Sequence, residues 1–189
     1  MKKIPTIFIR NPDNLSEVLN ERNPVCEWVF NGEGVPTRKF DGTAMKFERG
    51  QWFKRYDCKK GRTAPDGFES ADEPDLVTGH WPGWVPIGDG PEDKWHRAAI
   101  WQFSGHQAAA AGTYEAIGPH FQGNPECVDS DTLVRHGLVV ITNLGNTVTI
   151  ESLVQFFTGH PFEGIVWHHP DGRMAKIKAR DFRIKRGKV

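Results

Sequence analysis

Residues 163–178 restrict the fold more than any other segment, because they predict a β-hairpin with a defined turn. Two β-rich runs, residues 163–168 and 173–178, flank His169-Pro170-Asp171-Gly172. In such a turn proline presets φ and glycine accepts a positive φ. Successive strand residues point to opposite faces. Glu163, Ile165 and Trp167 should therefore share a face of one strand, and Met174, Lys176 and Lys178 a face of the other.

The rest of the chain predicts a mixture of strands and helices. A second hairpin is predicted at residues 37–57, where β-rich runs flank Arg49-Gly50. Helices are predicted at 14–22, 93–103 and 150–158, strands at 26–30, 113–118 and 138–142, and a long loop at 58–91. Antiparallel hairpins interrupted by helices are typical of an α+β fold.

The length of 189 residues fits one domain, residues 1–189, with a basic C-terminal tail. The sequence has no run of about 18 apolar residues, so no membrane span is expected. The apolar stretch that follows the basic N-terminus is too short for a signal peptide, and we expect a cytoplasmic protein. Three cysteines at distant positions favour neither a disulfide framework nor a zinc site.

Charge is unevenly distributed although the formal net charge is zero. The middle of the chain is acidic, at Asp66, Glu69, Asp72, Glu73 and Asp75. The C-terminus is basic, at Arg173, Lys176, Lys178, Arg180, Arg183, Lys185, Arg186 and Lys188. A local basic stripe can bind phosphates even in a neutral chain. A solvated tail is the alternative, and composition alone favours neither.

Two lysines in one short strand need a balancing anion if they are buried on the same face, because desolvating both ammonium groups is costly. Lys176 and Lys178 should therefore face solvent or bind an anion such as phosphate, and Glu163 is placed to balance them or to hold a cation. Lys39 precedes Asp-Gly at the start of a hairpin. A lysine nucleophile has to be neutral, which burial or nearby cations favour. If the hairpins face each other, Lys39 could attack an α-phosphorus with Mg²⁺ neutralising the phosphates.

Four short motifs resemble those of the covalent nucleotidyltransferases, the superfamily of ATP-dependent DNA ligases, RNA ligases and mRNA capping enzymes. Lys39-Phe40-Asp41-Gly42 matches the KxDG signature of motif I, Tyr114-Glu115-Ala116-Ile117-Gly118 resembles motif III, Glu163-Gly164-Ile165-Val166 resembles motif IV, and Lys176-Ile177-Lys178 resembles motif V. The motifs follow the family order, and the resemblance covers residues from about 37 to 182. The Lys-Phe-Asp-Gly-Thr and Glu-Gly-Ile-Val-Trp-His combinations resemble most the small 5′-to-3′ RNA ligases.

The resemblance implies a role for each matching residue near the phosphates. Lys39 would form the covalent lysyl–AMP intermediate. Lys176 and Lys178 would contact the nucleotide phosphates and take part in catalysis. Glu163 would bind a divalent metal, directly or through water.

The resemblance also implies contacts to the nucleoside. Glu115 would contact the ribose hydroxyls, and Ile165 would pack on a face of the base. In this family an arginine on the strand after motif I usually contacts the ribose, and Arg55 is the candidate. Lys54 alternates to the opposite side of the same strand, so it is the second choice.

Some residues depart from the family pattern. Arg38 stands where many RNA ligases have a glutamate before the nucleophile, and it could either tune Lys39 or meet a substrate phosphate. Thr43-Ala44-Met45 lacks the arginine that usually follows the motif I glycine. An aromatic residue that would stack on adenine is not evident, because Phe156 and Phe157 fit the core of a helix.

The resemblance implies a nucleotidyltransferase fold: an ATP-grasp-like ligase adenylation domain with antiparallel sheets flanked by helices and no OB-fold domain. The implied activity is that of an ATP-dependent RNA ligase, which joins a 5′-phosphate to a 3′-hydroxyl through lysyl–AMP. The implied cofactors are ATP and Mg²⁺, with Mn²⁺ as a substitute. The implied partner is RNA, with DNA as the alternative, and we expect a monomer. The other readings are a small ATP-dependent DNA ligase, a GTP-using capping nucleotidyltransferase, and a non-catalytic nucleic-acid-binding domain.

Overall fold

The computed structural model describes residues 3–145 and 147–185. Contacts between residues divide the chain into two compact units. Unit 1 contains Asp41–His136 together with Lys3, and unit 2 contains Ile4–Phe40 and the described residues from Gly137 onward. The single domain proposed for residues 1–189 stays a prediction. Of the basic tail, Arg186 and Lys188 lie outside the described residues.

The described residues form eleven strands and three α-helices. The strands are β1 Phe8–Arg10, β2 Val18–Arg22, β3 Val35–Lys39, β4 Thr43–Glu48, β5 Gln51–Cys58, β6 Glu69–Ser70, β7 Trp81–Pro86, β8 Gly112–Ile117, β9 Thr132–Arg135, β10 Gly164–His168 and β11 Met174–Lys178. The helices are α1 Glu27–Phe30, α2 Lys94–Ser104 and α3 Ile150–Gly159. Helices and antiparallel sheets together confirm the α+β class, whereas the ligase adenylation fold stays a prediction. No helix in the described residues is long and apolar enough to cross a membrane.

Unit 1 is built on a six-stranded antiparallel sheet of order β6-β7-β5-β4-β8-β9. Helix α2 packs Ala99 and Phe103 into a core with Met45 and Tyr114, which are paired neighbours on β4 and β8. The β4–β5 turn places Arg49 at φ 52° and Gly50 at φ 77°. Positive φ at both central residues is what a two-residue hairpin turn requires, so the predicted hairpin is confirmed for residues 43–57. Residues 37–39 of the predicted run belong instead to β3, which pairs with β10 in unit 2.

Unit 2 contains the three-stranded antiparallel sheet β11-β10-β3 and the two-stranded sheet β1-β2. One face of the larger sheet presents Ile165, Trp167 and Ile177 to a core that also includes Leu153 and Phe157 of α3. Directly paired residues lie on the same side of a sheet. The other face therefore carries the alternate residues of each strand.

Helix α3 begins and ends where the sequence predicts. Thr149 accepts a hydrogen bond from the backbone N–H of Ser152, and the Ser152 hydroxyl accepts one from the backbone N–H of Thr149. This capping box satisfies two N–H groups that a helix start leaves without partners. Leu153, Phe156 and Phe157 form its buried face, which confirms the helix predicted at 150–158.

Two predicted elements near the N-terminus are wrong. The helix predicted at 14–22 is replaced by β2, which pairs with β1, because tertiary pairing overrides a weak local propensity. The strand predicted at 26–30 is replaced by a 3-10 helix, Pro24–Cys26, and by α1. Asn23 caps this segment through a hydrogen bond from the Val25 N–H, and Pro24 occupies the first turn, which are helix-start signals.

Two further predictions need correction. The loop predicted at 58–91 contains β6 and β7, and β7 is a strand despite Pro82 and Pro86. The buried strand predicted at 138–142 is absent, since the described backbone there makes one isolated bridge, Thr37 with Val140. Leu138 is 61% exposed, so its aliphatic run does not mark a core strand. The helix predicted at 93–103 and the strand predicted at 113–118 are confirmed as α2 and β8.

Candidate active site

Lys39 and Lys178 flank a glycine on one face of the unit 2 sheet. Gly164 of β10 pairs with Lys178 of β11 on one side and with Lys39 of β3 on the other. A Cβ at Gly164 would lie 2.4 Å from the carbonyl oxygen of Ile177, so this strand position requires glycine. The glycine therefore permits the close strand contact that places the two lysines on either side of it.

Glu163 joins the two lysines into one cluster. Its carboxylate accepts hydrogen bonds from Lys39 Nζ and from Lys178 Nζ, each at 2.5 Å. The side chains of Glu163, Lys178 and Lys39 are only 12%, 14% and 23% exposed. Burial raises the pKa of Glu163, but the neighbouring ammonium groups of Lys39 and Lys178 outweigh it and lower the pKa overall. We call Lys39, Glu163, Lys176 and Lys178 the lysine cluster.

Lys176 is the member of the cluster whose surroundings disfavour a positive charge, as its lowered pKa indicates. It pairs with Val166 on the same face as Lys39 and Lys178, as strand alternation predicts. Burial, and then the positive charges of Lys178 and Lys39, lower the pKa of Lys176 to about 8. A site that makes one of its ammonium groups easy to deprotonate favours an anionic ligand, which would restore the charge.

A further cation, Arg10, stands beside this cluster. Its guanidinium donates to Asp181 Oδ1 at 3.3 Å and to the carbonyl oxygen of Leu15 at 2.7 Å. The other carboxylate oxygen of Asp181 accepts from the backbone N–H of Lys178 at 2.9 Å. Arg10 also contributes to the lowered pKa of Lys176. The sequence motifs gave no signal for Arg10, which lies far from motif V along the chain.

Arg38 lies on the opposite face of the sheet from Lys39, because it pairs with Ile165. Its guanidinium carbon is 4.4 Å from the ring centroid of Phe40 and 4.3 Å from that of Phe162. Two cation–π contacts of this kind hold an arginine in place. The structure thus gives Arg38 a packing environment away from the face that carries the nucleophile candidate.

Ile165 is not brought to the lysine cluster. It is fully buried, and it belongs to the core of unit 2 on the opposite face. Val166 instead pairs with Lys176 and with Thr37, which places it on the cluster's face, where it is 8% exposed. The register therefore places Val166, and not Ile165, on the face that carries the lysine cluster.

In unit 1, Arg55 and Glu115 share a face of the six-stranded sheet. Ala44 pairs with Glu115, and alternation through β4 and β5 brings Arg55 to the same side. Lys54 points to the side of α2, where its Nζ donates to the buried carboxylate of Asp93 at 2.6 Å. Lys54 and Arg55 therefore lie on opposite sides of β5, as predicted, and the ribose contact expected of Arg55 stays a prediction.

The Asp-Gly turn of motif I is held by two glutamates of unit 1. The N–H of Asp41 donates to Glu126 Oε1 at 2.8 Å, and the N–H of Gly42 donates to Glu115 Oε1 at 3.1 Å. A Cβ at Gly42 would lie 2.0 Å from the carbonyl oxygen of Ala116. The motif needs its glycine here because the turn runs directly against β8.

One partner of this turn, Glu126, and one partner of Glu115, His136, were not predicted from the sequence. Glu126 lies in a loop outside every motif, and His136 follows β9, a strand that the sequence pattern did not reveal. His136 Nε2 lies 2.8 Å from Glu115 Oε2. Recognising β9 as a partner of β8 would have placed His136 next to Thr113.

A divalent metal fits the lysine cluster only with help from a substrate. The described residues contain no group of three or more His, Cys, Asp or Glu side chains that could hold a metal ion. Mg²⁺ is commonly bound by one or two carboxylates together with substrate phosphates. Glu163 offers one carboxylate, so phosphate oxygens and water would have to supply the other ligands.

Comparison with known proteins gives a distant similarity to an RNA ligase. RNA ligase 1 of Rattus norvegicus is 27% identical to this chain over 154 residues, and the match covers 66% of this chain. The chain spans 44% of the length of that rat protein. No family model matches the chain. The similarity supports a distant relationship to RNA ligases.

Proposed function

We propose that this chain is an ATP-dependent RNA ligase in which Lys39 carries AMP as a covalent intermediate. The observation that carries the proposal is the lysine cluster: a KxDG lysine hydrogen-bonded to the motif IV glutamate, which also binds a motif V lysine. The distant similarity to rat RNA ligase 1 supports the same class of reaction. In this proposal Lys39 is the nucleophile, Glu163 is the proton acceptor, and Lys176 and Lys178 bind the phosphates.

In the first step the Lys39 nitrogen forms an N–P bond to the α-phosphorus of ATP while the P–O bond to pyrophosphate breaks. The ammonium has to lose one proton before attack and the nitrogen a second after it. Glu163 is 2.5 Å from Nζ and can accept the first of them. Lys176 and Lys178 stabilise the negative charge that develops on the phosphoryl oxygens.

Mg²⁺ supplies neutralisation of the phosphates and orientation of the pyrophosphate leaving group. In the proposal Glu163 would first pass the Lys39 proton to solvent and then, as a carboxylate again, hold this ion together with phosphate oxygens. Entry of a triphosphate gives Lys39 and Lys178 new anionic partners, so Glu163 can leave them. Glu115 and Arg55 contact the ribose hydroxyls, and Val166 packs against the base.

Two further steps complete ligation. The 5′-phosphate of an RNA attacks the lysyl–AMP phosphorus, which breaks the N–P bond and returns Lys39. A 3′-hydroxyl then attacks the activated 5′-phosphate, forms the phosphodiester and releases AMP. RNA with these two ends is the proposed substrate, and DNA is the alternative that the experiments distinguish.

Intact-mass measurement after incubation with ATP and Mg²⁺ tests the proposal. We expect a mass increase equal to one AMP in the wild type and none in Lys39→Ala, whereas Lys59→Ala, at an exposed lysine of unit 1, retains it. Absence of any adduct across a range of pH and metal ions would overturn the proposal. Labelled GTP in place of ATP distinguishes a capping enzyme, and matched RNA and DNA substrates distinguish the two ligases.

A non-catalytic nucleic-acid-binding domain predicts a different result. It would bind RNA without forming an adduct, and its affinity would be unchanged in Lys39→Ala. Sealing of a 5′-phosphate to a 3′-hydroxyl by the wild type excludes that reading.

A further inference from the structure

Glu115 is held from both sides by groups whose positions the fold determines. One carboxylate oxygen accepts from the backbone N–H of Gly42 at 3.1 Å, and the other lies 2.8 Å from His136 Nε2. The Glu115 side chain is 9% exposed and that of His136 is 24% exposed. A carboxylate fixed in this way has little rotational freedom.

The orientation of His136 is itself fixed by Thr113. The backbone N–H of His136 donates to the carbonyl oxygen of Thr113 at 3.0 Å, and His136 Nδ1 lies 2.9 Å from the Thr113 hydroxyl. An ionised carboxylate can only accept, so Nε2 carries the hydrogen that points to Glu115. Nδ1 then accepts from the threonine hydroxyl when the ring is neutral. Thr113, His136, Glu115 and Gly42 thus form a continuous chain of hydrogen bonds that ends on motif I.

We propose that His136 is a positioning residue that aims the Glu115 carboxylate at the ribose hydroxyls of the bound nucleotide, and so sets discrimination between ribo- and deoxyribonucleoside triphosphates. This inference rests on the proposed function, because it assigns a sugar-binding role to Glu115. His136 acts through Glu115 rather than by touching the substrate. Losing its hydrogen bond leaves Glu115 free to rotate, which weakens recognition of the hydroxyls more than it slows the chemistry.

Two substitutions of similar size separate this role from simple packing. In His136→Gln the side-chain amide nitrogen can occupy the place of Nε2 and donate to Glu115. In His136→Asn the shorter amide can reach the place of Nδ1 and its Thr113 partner, but not Glu115. Thr113→Val is a third variant, which removes the hydroxyl that contacts Nδ1 of the His136 ring. His120→Ala is the matched control, since His120 pairs with the carboxylate of Asp131 at 2.7 Å elsewhere in unit 1.

The experiment measures covalent labelling of the full chain with α-labelled ATP, 2′-deoxyATP and 3′-deoxyATP over a range of concentrations. For His136→Asn we expect the KM for ATP to rise about tenfold, as for a lost hydrogen bond to a charged group, with kcat much less affected. The preference for ATP over the deoxynucleotides should fall toward that of Glu115→Ala. His136→Gln should recover most of the preference, Thr113→Val should lose part of it, and His120→Ala should match the wild type.

The outcomes separate the inference from the function on which it rests. If the wild type takes up no label from any nucleotide, the proposed function is wrong and the inference with it. If the wild type is labelled but folded His136→Asn keeps the wild-type KM and sugar preference, the positioning role alone is wrong. Equal loss in His136→Asn and His136→Gln would also overturn it, because the restored donor would then have no effect. Should His136→Asn fail to fold, Thr113→Val and His136→Gln test the positioning role through the same preference for ATP over the deoxynucleotides.

Discussion

The polar sheet faces of the two units hold their charged groups in different ways. In unit 2, Lys39 and Lys178 share one glutamate, and Lys176 stands beside them with its pKa lowered to about 8. In unit 1, Glu115 is held by a backbone N–H and by an imidazole. The first arrangement has excess positive charge that a phosphate can neutralise, whereas the second fixes one carboxylate in a set direction. We therefore expect loss of the shared carboxylate in unit 2 to slow the chemical step, and loss of the hydrogen bonds to Glu115 in unit 1 to weaken recognition and stability.

Glu163→Gln should have the largest effect, because it removes the one negative charge shared by two half-buried lysines. We expect adduct formation to slow by about 100-fold or more, as for loss of a proton acceptor. Leaving buried charges unbalanced should also lower the free energy of unfolding by about 3 kcal/mol. Labelling rates and urea unfolding measure the two effects. Glu151→Gln, at an exposed position of α3, should change neither, and a fully active Glu163→Gln would mean that the shared carboxylate plays no part in the chemistry.

Gly42→Ala tests the rigid arrangement of unit 1. The new Cβ would lie 2.0 Å from the carbonyl oxygen of Ala116, so the Asp-Gly turn must move away from β8 and lose its hydrogen bond to Glu115. We expect a loss of about 3 kcal/mol in the free energy of unfolding, the usual scale for forced overpacking. Gly159→Ala is the control, because a Cβ there meets nothing within 4 Å. Equal stability of the two variants would show that the turn is not held tightly.

Lys176→Met tests the excess charge of unit 2 through its pH dependence. The pKa of Lys176 is about 8 in the folded chain against an ordinary value of 10.5. Between these values the unfolded chain binds more protons, so the Lys176 contribution makes the wild type more stable as pH rises from 8 to 10.5. Below pH 8 the variant should be the more stable protein by about 1–3 kcal/mol, because it lacks a buried charge.

Urea unfolding of the wild type and Lys176→Met at several pH values measures that difference. The difference in the free energy of unfolding between the two proteins should decrease as the pH increases toward 10.5. Lys59→Met, at an exposed position, should show no such trend. A constant gap would mean that the environment of Lys176 is not the source of the pH dependence.

Local patterns predicted only part of the lysine cluster. Strand alternation placed Glu163 on the face of Ile165 and Trp167, which packs against the core, whereas its carboxylate binds Lys39 and Lys178 of the other face. Lys176 and Lys178 share a face by their spacing alone, and the Pro-Asp-Gly turn determines which residues of β10 oppose them. Lys39 joins them because β3 pairs with β10 far along the chain, a strand pairing that was not predicted from the sequence. Lys176 and Lys178 are thus the part of the site that follows most directly from the sequence.

Features that depend on tertiary pairing were not predicted. The helix expected at 14–22 became β2, because β1 was available to pair with it. His136 and Glu126 act on motif I from segments with no recognised pattern, and their positions follow from β9 and a loop. Both roles considered for Arg38, tuning Lys39 or meeting a substrate phosphate, need it beside the nucleophile. Its pairing with Ile165 places it on the other face of the sheet.

Ile165 and Val166 separate core packing from the proposed nucleotide contact within unit 2, since these neighbours lie on opposite faces of one strand. Ile165→Val removes one methylene from the core and should cost about 1 kcal/mol in stability, with the KM for ATP unchanged. Val166→Ala removes two methyl carbons from a buried residue of the lysine-bearing face, so it should raise the KM for ATP several-fold at a stability cost at least as large as that of Ile165→Val. Labelling across ATP concentrations, together with urea unfolding, gives both quantities for each variant. The opposite pattern, with KM responding to Ile165 and not to Val166, would mean that the base packs where the strand register does not allow it, and the assignment of Val166 would have to be withdrawn.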